Sequence, residues 1–144
     1  MLEENRAEVL RMEIESLSRN EEFARVVVAV FISRMNPTLE ELDDVKTAVS
    51  EAVTNAVIHG YHGEDGIIYI EAWVEGQELT LMVRDKGVGI RDVKQAMEPM
   101  YTSDATGERS GMGFSFMEAF MDEVKVESVP DAGTTVTMKK RIGG

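Results

Sequence analysis

The sequence of 144 residues contains no cysteine and only two histidines. The lack of cysteine excludes thiol catalysis, disulfides and zinc–thiolate sites, and two histidines argue against a His-rich metal centre. Long apolar runs are also missing, since the longest, residues 26–32, is far too short to span a bilayer. The acidic N-terminal stretch lacks the apolar core of a signal peptide. We therefore expect a soluble cytoplasmic protein.

Basic residues are scarce too, because 15 Lys and Arg stand against 27 Asp and Glu, for a formal net charge of -12. Such a chain repels nucleic-acid phosphates and anionic membranes, so we expect no direct DNA binding, no membrane association and a partner with a basic surface. The hydrophobic fraction of 43% is enough for one core. No linker, repeat or low-complexity segment interrupts the chain, which predicts a single domain over residues 1–144.

Two helices are predicted in the N-terminal half from capping-box spacing, in which a Ser or Thr precedes a Glu by three residues. The two pairs are Ser18 with Glu21 and Thr38 with Glu41. The first pair begins a helix that ends near Pro37, and the second begins a helix over about residues 39–58. Gly60 is interpreted as the residue that ends this second helix, and His59 as a helix-end residue.

Alternating apolar and polar residues predict five strands. They cover residues 8–16, 67–75, 78–85, 124–129 and 134–141. A short helix and a loop are predicted within residues 91–112, and a further helix over residues 114–121. The resulting order, β-α-α-β-β-loop-α-β-β, predicts an α/β (α+β) two-layer sandwich, in which helices cover one face of a mixed, mostly antiparallel sheet.

Glu51 and Asn55 are the first candidate site residues. They are four residues apart on the second helix, so they are neighbours at the flank of its apolar stripe. A solvated helix flank is one interpretation of this pair. In the functional alternative, the Asn55 amide oxygen could bind magnesium, and the Glu51 carboxylate could accept a proton from an attacking hydroxyl.

The segment Asp85-Lys86-Gly87-Val88-Gly89 follows the third strand, at a strand end where ligand sites of α/β sheets lie. It could be only a turn, since Asp and Gly are common turn residues. Two glycines spaced by one residue, however, allow a backbone to pass close to a flat ligand. The Asp85 carboxylate could accept a hydrogen bond from an exocyclic amine, which favours adenine over guanine.

Two further segments contain glycine in the pattern of a nucleotide site. The segment Gly107–Gly113 precedes a helix, whose N-terminal N–H groups could bind an anion, although a flexible loop is the alternative. Gly133-Thr134 is by itself only a hairpin turn, and neither a P-loop nor a Rossmann fingerprint is present.

The ordered combination E-x-x-x-N, D-x-G-x-G, glycine-rich loop and G-T resembles the ATPase superfamily of gyrase, the heat-shock chaperone, histidine kinases and the mismatch-repair ATPase. That resemblance implies a Bergerat-type ATP-binding fold.

Four stretches resemble the family of sporulation anti-sigma F factors more narrowly: SEAVTNAVIHGY, VRDKGVGI, ERSGMGF and FMDEVKVES. The resemblance extends over about residues 20–141 and implies an ATP-dependent protein serine kinase (EC 2.7.11.1 type) that is also an anti-sigma factor. Members of the family act as homodimers and hold sigma factor F inactive. They phosphorylate a serine of their antagonist, the anti-anti-sigma factor (stage II sporulation protein AA). The implied cofactors are ATP or ADP and Mg²⁺.

The same resemblance implies roles for individual residues. Glu51 would be the general base and Asn55 the magnesium ligand. The adenine end would consist of Asp85, Gly87, Gly89 and Thr134, with Thr134 acting through water. Gly111 and Gly113 would present amides to the phosphates, and Arg109 and Ser110 would lie in the lid over ATP. Glu21 and Arg25, on the first helix, would contact the protein partners.

Three other functions are open. The nearest is a switch-type anti-sigma kinase for a stress-response sigma factor, although such relatives often degrade the D-x-G-x-G motif, which is intact here. The catalytic fragment of a sensor histidine kinase needs an upstream phosphoacceptor, whereas His59 and His62 lie beside the ATP motif. A module that only binds ATP would need no general base at Glu51. For Glu21 and Arg25, the alternative is a surface ion pair.

Overall fold

The computed structural model describes residues 8–98 and 113–143, and within them the predicted order of strands and helices is confirmed. The strands in these ranges are β1 (Glu8–Glu15), β2 (Ile67–Glu75), β3 (Glu78–Asp85), β4 (Glu123–Val129) and β5 (Gly133–Arg141). The α-helices are α1 (Asn20–Ile32), α2 (Leu39–Asn55), α3 (Val93–Ala96) and α4 (Phe114–Phe120). A 3-10 turn at Ser33–Met35 follows α1, and a π-helical turn at Ala56–Gly60 follows α2.

The strands form one sheet in the order β1-β2-β3-β5-β4, and each neighbouring pair is antiparallel. The predicted two-layer fold is confirmed, but the parallel part of the predicted mixed sheet is absent among the described residues. The reason is the connection: two helices join β1 to β2, so the chain re-enters the sheet at the end where β1 leaves it. β3 and β4 run in the same direction, but β5 lies between them.

The face of the sheet under the helices forms the core together with α2. Buried positions alternate along the strands and recur every three or four residues along the helix. They include Ile68, Ile70 and Ala72 of β2, Leu79, Leu81 and Val83 of β3, and Val45, Val49 and Val53 of α2. α2 packs against both α1 and α4, and the π-helical turn that follows it contacts β3 and β5. In residues 8–98 and 113–143, no helix is long and apolar enough to cross a membrane.

The two long helices begin in different ways. At α2 the predicted capping box is confirmed, because Thr38 Oγ1 accepts a hydrogen bond from the Glu41 N–H at 3.0 Å, and Glu41 Oε1 accepts one from the Thr38 N–H at 2.9 Å. At α1 the predicted box starting at Ser18 is wrong, since no side chain caps the helix. The Glu21 carboxylate instead accepts a hydrogen bond from the Ser50 hydroxyl of α2. A contact between helices has taken the place of a local cap.

The end of α2 differs from the predicted helix over residues 39–58 closed by Gly60. The α-helix ends at Asn55, and the chain continues as the π-helical turn Ala56–Gly60. Gly60 does not have the positive φ of a helix-terminating glycine. Its missing side chain serves a tertiary contact, since a Cβ there would lie 2.8 Å from the Asp85 carboxylate. π-helical turns are frequent at functional sites, and this one borders the pocket described below.

Candidate functional site

A pocket lies where the end of α2 and the π-helical turn pass over the C-terminal end of β3 and the beginning of β5. Apolar walls with a few polar groups are the usual make-up of a small-molecule site. The lining residues are Ala52, Asn55, Ala56, His59, Gly60, Val83, Asp85, Gly89, Ile90, Phe114, Thr134 and Val136. Asn55, Asp85, Gly89 and Thr134, which the sequence predicts from separate motifs, therefore meet in one cavity.

Asp85 is a buried carboxylate at the C-terminal end of β3, with 7% of its surface exposed. Its Oδ1 accepts a hydrogen bond from the Gly87 N–H at 2.9 Å, and Thr134 lies opposite it in the β3–β5 register. Burial raises the pKa of Asp85, and the backbone N–H groups of Gly87 and Thr134 act against that rise. The carboxylate is placed to accept a hydrogen bond from a ligand.

Gly87 and Gly60 bring two backbone segments into direct contact beside Asp85. The Val88 N–H donates to the Gly60 carbonyl at 3.0 Å, and a Cβ on Gly87 would collide with that carbonyl. Both positions need glycine for close approach rather than for a turn. His59 and Gly60 are the last residues of the helical run, as predicted, but both also line the pocket. No local pattern could reveal this, because the contact is made to a distant strand.

Gly89 and Gly133 pack the loop after β3 against the β4–β5 turn. Both have positive φ, of 74° and 120° respectively. A Cβ on Gly89 would collide with the Val129 carbonyl, and one on Gly133 with the Asp85 carbonyl. These left-handed conformations and close approaches explain why both motifs contain glycine. The two loops are consequently held backbone against backbone at one end of the pocket.

Ser128, at the end of β4, connects these parts and is not identified by sequence reasoning. Its Oγ accepts a hydrogen bond from the Ile90 N–H at 2.7 Å, donates to the Gly133 carbonyl at 3.0 Å and lies 2.8 Å from Thr134 Oγ1. Ser128, Thr134 and Asp85 are neighbours across β4, β5 and β3. The one available signal was a serine in an alternating strand, which by itself indicates no function.

Glu51 and Asn55 lie on the same flank of α2, as predicted, but in different surroundings. Asn55 is 7% exposed and lines the pocket, so it is not a solvated residue, whereas Glu51 is half-buried and lies outside the lining. The Glu51 carboxylate is next to the beginning of α4, where a Cβ on Gly113 would collide with Oε2. Glu51 and Gly113 are therefore neighbours at the edge of the pocket. The predicted residues Arg109, Ser110 and Gly111 lie outside the described residues.

Glu21 and Arg25, predicted to contact protein partners, are both half-buried on α1. Glu21 accepts the hydrogen bond from Ser50, which precedes Glu51 on α2. The Arg25 Nε is buried and has no hydrogen-bond partner in the part of the chain that the structure describes. No ion pair joins Glu21 to Arg25 in that part either, so the alternative of a surface ion pair between them is wrong.

A metal ion at this pocket would need ligands beyond the protein. Among residues 8–98 and 113–143, no group of three or more His, Asp or Glu side chains could hold a metal ion. Mg²⁺ in nucleotide sites is commonly bound through one or two protein oxygens, water and phosphate oxygens. The buried side chain of Asn55 on the pocket wall carries an amide oxygen, which is an oxygen of the type that Mg²⁺ accepts. The residues present therefore fit a nucleotide that carries its own magnesium.

Comparison with known proteins yields both sequence relatives and structural neighbours. A model of the histidine kinase-like ATPase domain matches residues 14–140. The anti-sigma F factor of Clostridium novyi (strain NT) is 58% identical over 134 residues, which cover 92% of this chain and 94% of that protein. The anti-sigma F factor of Halalkalibacterium halodurans is 52% identical over 134 residues, which cover 92% of each chain.

Two solved structures have a similar fold. The structure of the RsbU and RsbW domains of Rv1364c from Mycobacterium tuberculosis has a TM-score of 0.69 at 22% identity. That match covers 94% of this chain and 32% of the other, so this chain spans about a third of that polypeptide. The catalytic domain of the histidine kinase ThkA has a TM-score of 0.60 at 17% identity and covers 92% and 96% of the two chains. Both likenesses confirm the predicted two-layer α/β fold.

Proposed function

The chain belongs to the family of anti-sigma F factors within the histidine kinase-like ATPase domains, and on that basis we propose that it is an ATP-dependent protein serine kinase and an anti-sigma factor. In this proposal it binds and inhibits sigma factor F in the cytoplasm, as a homodimer. It phosphorylates the anti-anti-sigma factor (stage II sporulation protein AA) on a serine, which inactivates that antagonist.

The observation that carries the proposal is the convergence of Asn55, Asp85, Gly89 and Thr134 on one pocket. The buried Asp85 carboxylate would accept a hydrogen bond from the exocyclic amine of adenine, and Thr134 would help to hold the base through water. Gly89 and Gly87 place backbone, rather than side chains, at this end of the pocket. That construction supports a flat ligand such as a purine.

The pair Glu51 and Asn55 supports the catalytic part of the proposal. Asn55 would hold magnesium with its amide oxygen, and Glu51, one helical turn earlier, would accept the proton of the acceptor serine hydroxyl. ATP supplies the γ-phosphoryl group, so the serine oxygen gains a bond to phosphorus as the bond to ADP breaks. Such transfer depends on positioning and charge neutralisation more than on covalent help. Further contacts to the phosphates and the lid would come from Gly111, Gly113, Arg109 and Ser110.

The surface of α1 supports partner binding at Glu21 and Arg25. Next to these residues the helix exposes three apolar side chains, Phe23 at 55%, Val26 at 51% and Val30 at 65%. An arginine beside exposed apolar side chains is a composition typical of protein interfaces. A stress-response sigma factor is the alternative partner. The likeness to an RsbW domain supports that alternative at the level of fold alone, whereas the relatives at 52% and 58% identity are anti-sigma F factors.

Co-purification of the full chain with sigma factor F, a stress-response sigma factor and the anti-anti-sigma factor, each in ATP and in ADP, tests the proposed partners. We expect capture of sigma factor F and of the antagonist, with a clear difference between the two nucleotides.

The Arg25→Glu variant should bind sigma factor F about tenfold more weakly at unchanged ATP affinity. The exposed Arg19, changed to Glu, is the matched control. Selective capture of the stress-response sigma factor would overturn the assignment, and unchanged binding by Arg25→Glu would remove that residue from the interface.

A further inference from the structure

Ser128 is outside the motifs that identify the pocket, yet its hydroxyl contacts three of the backbone and side-chain groups that build it. Its Oγ is 2.7 Å from the Ile90 nitrogen, 3.0 Å from the Gly133 carbonyl oxygen and 2.8 Å from Thr134 Oγ1. Ser128 itself is half-buried, and Thr134 beside it is 8% exposed. The hydroxyl is thus a junction between the loop after β3 and the first residues of β5.

The direction of each of these hydrogen bonds follows from the atoms involved. A serine hydroxyl has one hydrogen to donate and two lone pairs with which to accept. The Ile90 nitrogen can only donate to Ser128, and the Gly133 carbonyl can only accept, so the single hydrogen of Ser128 is used there. The third contact then requires the Thr134 hydroxyl to donate its hydrogen to Ser128. As a result, Thr134 can offer the pocket only lone pairs.

The polarity of Thr134 has consequences because of its neighbour on β3. Asp85 lies directly opposite Thr134 in the strand register, and both residues line the pocket. An ionised carboxylate also only accepts hydrogen bonds, so two acceptors stand side by side. A 6-aminopurine offers a donating amine to such a wall. A 6-oxopurine presents an oxygen at the same position, which two acceptors repel. A water between Thr134 and the base keeps this preference, because it donates its two hydrogens to Thr134 and Asp85 and turns only lone pairs to the base.

We propose that Ser128 is a positioning residue that sets the base specificity of the pocket, because it holds Thr134 as a hydrogen-bond acceptor beside Asp85. This inference rests on the proposed binding of ATP and adds a determinant of the choice of base. Ser128 acts through Thr134 and touches no ligand itself. Without the Ser128 hydroxyl, Thr134 is able to rotate and donate, so the pocket tolerates a 6-oxopurine.

Equilibrium binding of ATP and of ITP to the full chain tests the inference, because the two nucleotides differ in the 6-amino and 6-oxo groups. The measured quantity is the ratio of the ITP Kd to the ATP Kd. Ser128→Ala should lower this ratio about five- to tenfold, the size expected for one hydrogen bond. Ser128→Thr keeps a hydroxyl and should stay near the wild-type ratio. Ser33→Ala, at an exposed serine of the 3-10 turn after α1, is the matched control.

A double-mutant cycle separates positioning through Thr134 from a general loosening of the fold. In a Thr134→Val background, Ser128→Ala should leave the ratio unchanged, because no threonine hydroxyl remains to be oriented. An unchanged ratio in the single Ser128→Ala variant, or an equal loss of both nucleotides, would overturn the inference. If Ser128→Ala does not fold, Ser128→Cys takes its place, because a thiol has the same connectivity as a hydroxyl but is a weaker hydrogen-bond acceptor. The ratio of the ITP Kd to the ATP Kd is then measured for that variant, and it should also fall. If the wild-type chain binds neither ATP nor ITP, both the proposed function and the inference on Ser128 are refuted. If the wild-type chain binds ATP but the ratio does not respond to Ser128→Ala, only the inference on Ser128 fails.

Discussion

The two ends of the pocket are built in different ways. At the end beside Asp85, where the purine base is proposed to bind and which we call the base end, the loops around Gly87, Gly89 and Gly133 approach other backbone segments too closely for any side chain. At the opposite end, Glu51 and Asn55 project from one flank of α2, whose position is set by packing of the core. The base end therefore owes its shape to backbone contacts, whereas the other end presents side chains that can be replaced without moving the backbone. Substitutions should affect shape and stability at the first end and chemistry at the second.

The largest effect should come from Glu51→Gln at the helical end. General-base catalysis contributes about 10²- to 10⁴-fold, so phosphoserine formation should fall by that factor. Because Glu51 lies outside the pocket lining, ATP affinity should change less than about threefold. Single-turnover phosphotransfer and equilibrium ATP binding measure the two quantities. Glu40→Gln, at an exposed residue in the first turn of the same helix, is the control. Equal losses of transfer and affinity would mean that Glu51 is structural.

Gly87→Ala should damage the base end through its shape. The new Cβ would collide with the Gly60 carbonyl, which is backbone and cannot move aside cheaply. We expect the free energy of unfolding to fall by about 3 kcal/mol, as for a severe packing clash, with ATP binding lost as well. Urea unfolding measures this change. Gly63→Ala, at φ 77° with nothing within 4 Å, should cost only about 1 kcal/mol of backbone strain. Similar costs at both positions would contradict a tight base end.

Asp85→Asn should weaken nucleotide binding without disturbing that shape. Losing a hydrogen bond to a charged acceptor typically costs about 1.5–3 kcal/mol, which corresponds to roughly 10- to 150-fold in affinity for ATP. Titration calorimetry with ATP measures the loss, and Asp65→Asn, at an exposed carboxylate, is the matched control. Retention of full ATP affinity by Asp85→Asn would show that the ligand does not contact this carboxylate.

The smallest effect expected is a pair of opposite pH dependences of stability. Burial raises the pKa of Asp85 in the folded state above its value in the unfolded chain. The contribution of Asp85 to the free energy of unfolding is therefore fully present at pH values below the pKa of the unfolded state. It is lost as the pH rises through the pKa of the folded state. For Glu41, the Thr38 N–H lowers the pKa, so stability is present above the unfolded pKa and lost as pH falls through the folded one.

Urea unfolding of Asp85→Asn and Glu41→Gln at neutral pH and near about pH 3 measures these dependences. Relative to wild type, Asp85→Asn should gain stability at neutral pH and lose that gain in acid. Glu41→Gln should be less stable than wild type at neutral pH, by a smaller amount because the group is solvated, and should match it in acid. The same sign for both variants would contradict the burial of Asp85 as the cause.

Local patterns in the sequence predicted the elements, since their causes lie within a few residues. The β2–β3 hairpin and the capping box of Thr38 and Glu41 depend on neighbours in the chain, and both are confirmed. The box at Ser18 is wrong because Glu21 bonds to Ser50, which is 29 residues away. The end of α2 differs because the reason for Gly60 is a contact with another strand.

The candidate site was predictable where each motif contains an unusual residue. Asn55 in a helix and the paired glycines after Asp85 are out of place by local rules, and the structure brings Asn55, Asp85 and Gly89 together in one pocket. Ser128 shows the limit of this reasoning. A serine near the end of an alternating strand is ordinary, and its hydrogen bonds to Ile90 and Thr134 exist only once the loop after β3 and strand β5 have been placed beside it.

Formation of phosphoserine on the anti-anti-sigma factor tests the central claim most directly. The full chain is incubated with Mg²⁺, ATP and the partner, and the partner is analysed by mass spectrometry while bound nucleotide is measured in parallel. We expect phosphate on a serine of the partner, produced together with ADP and reduced at least about 100-fold by Glu51→Gln. A chain that binds ATP in this pocket yet leaves the partner without phosphoserine would contradict it.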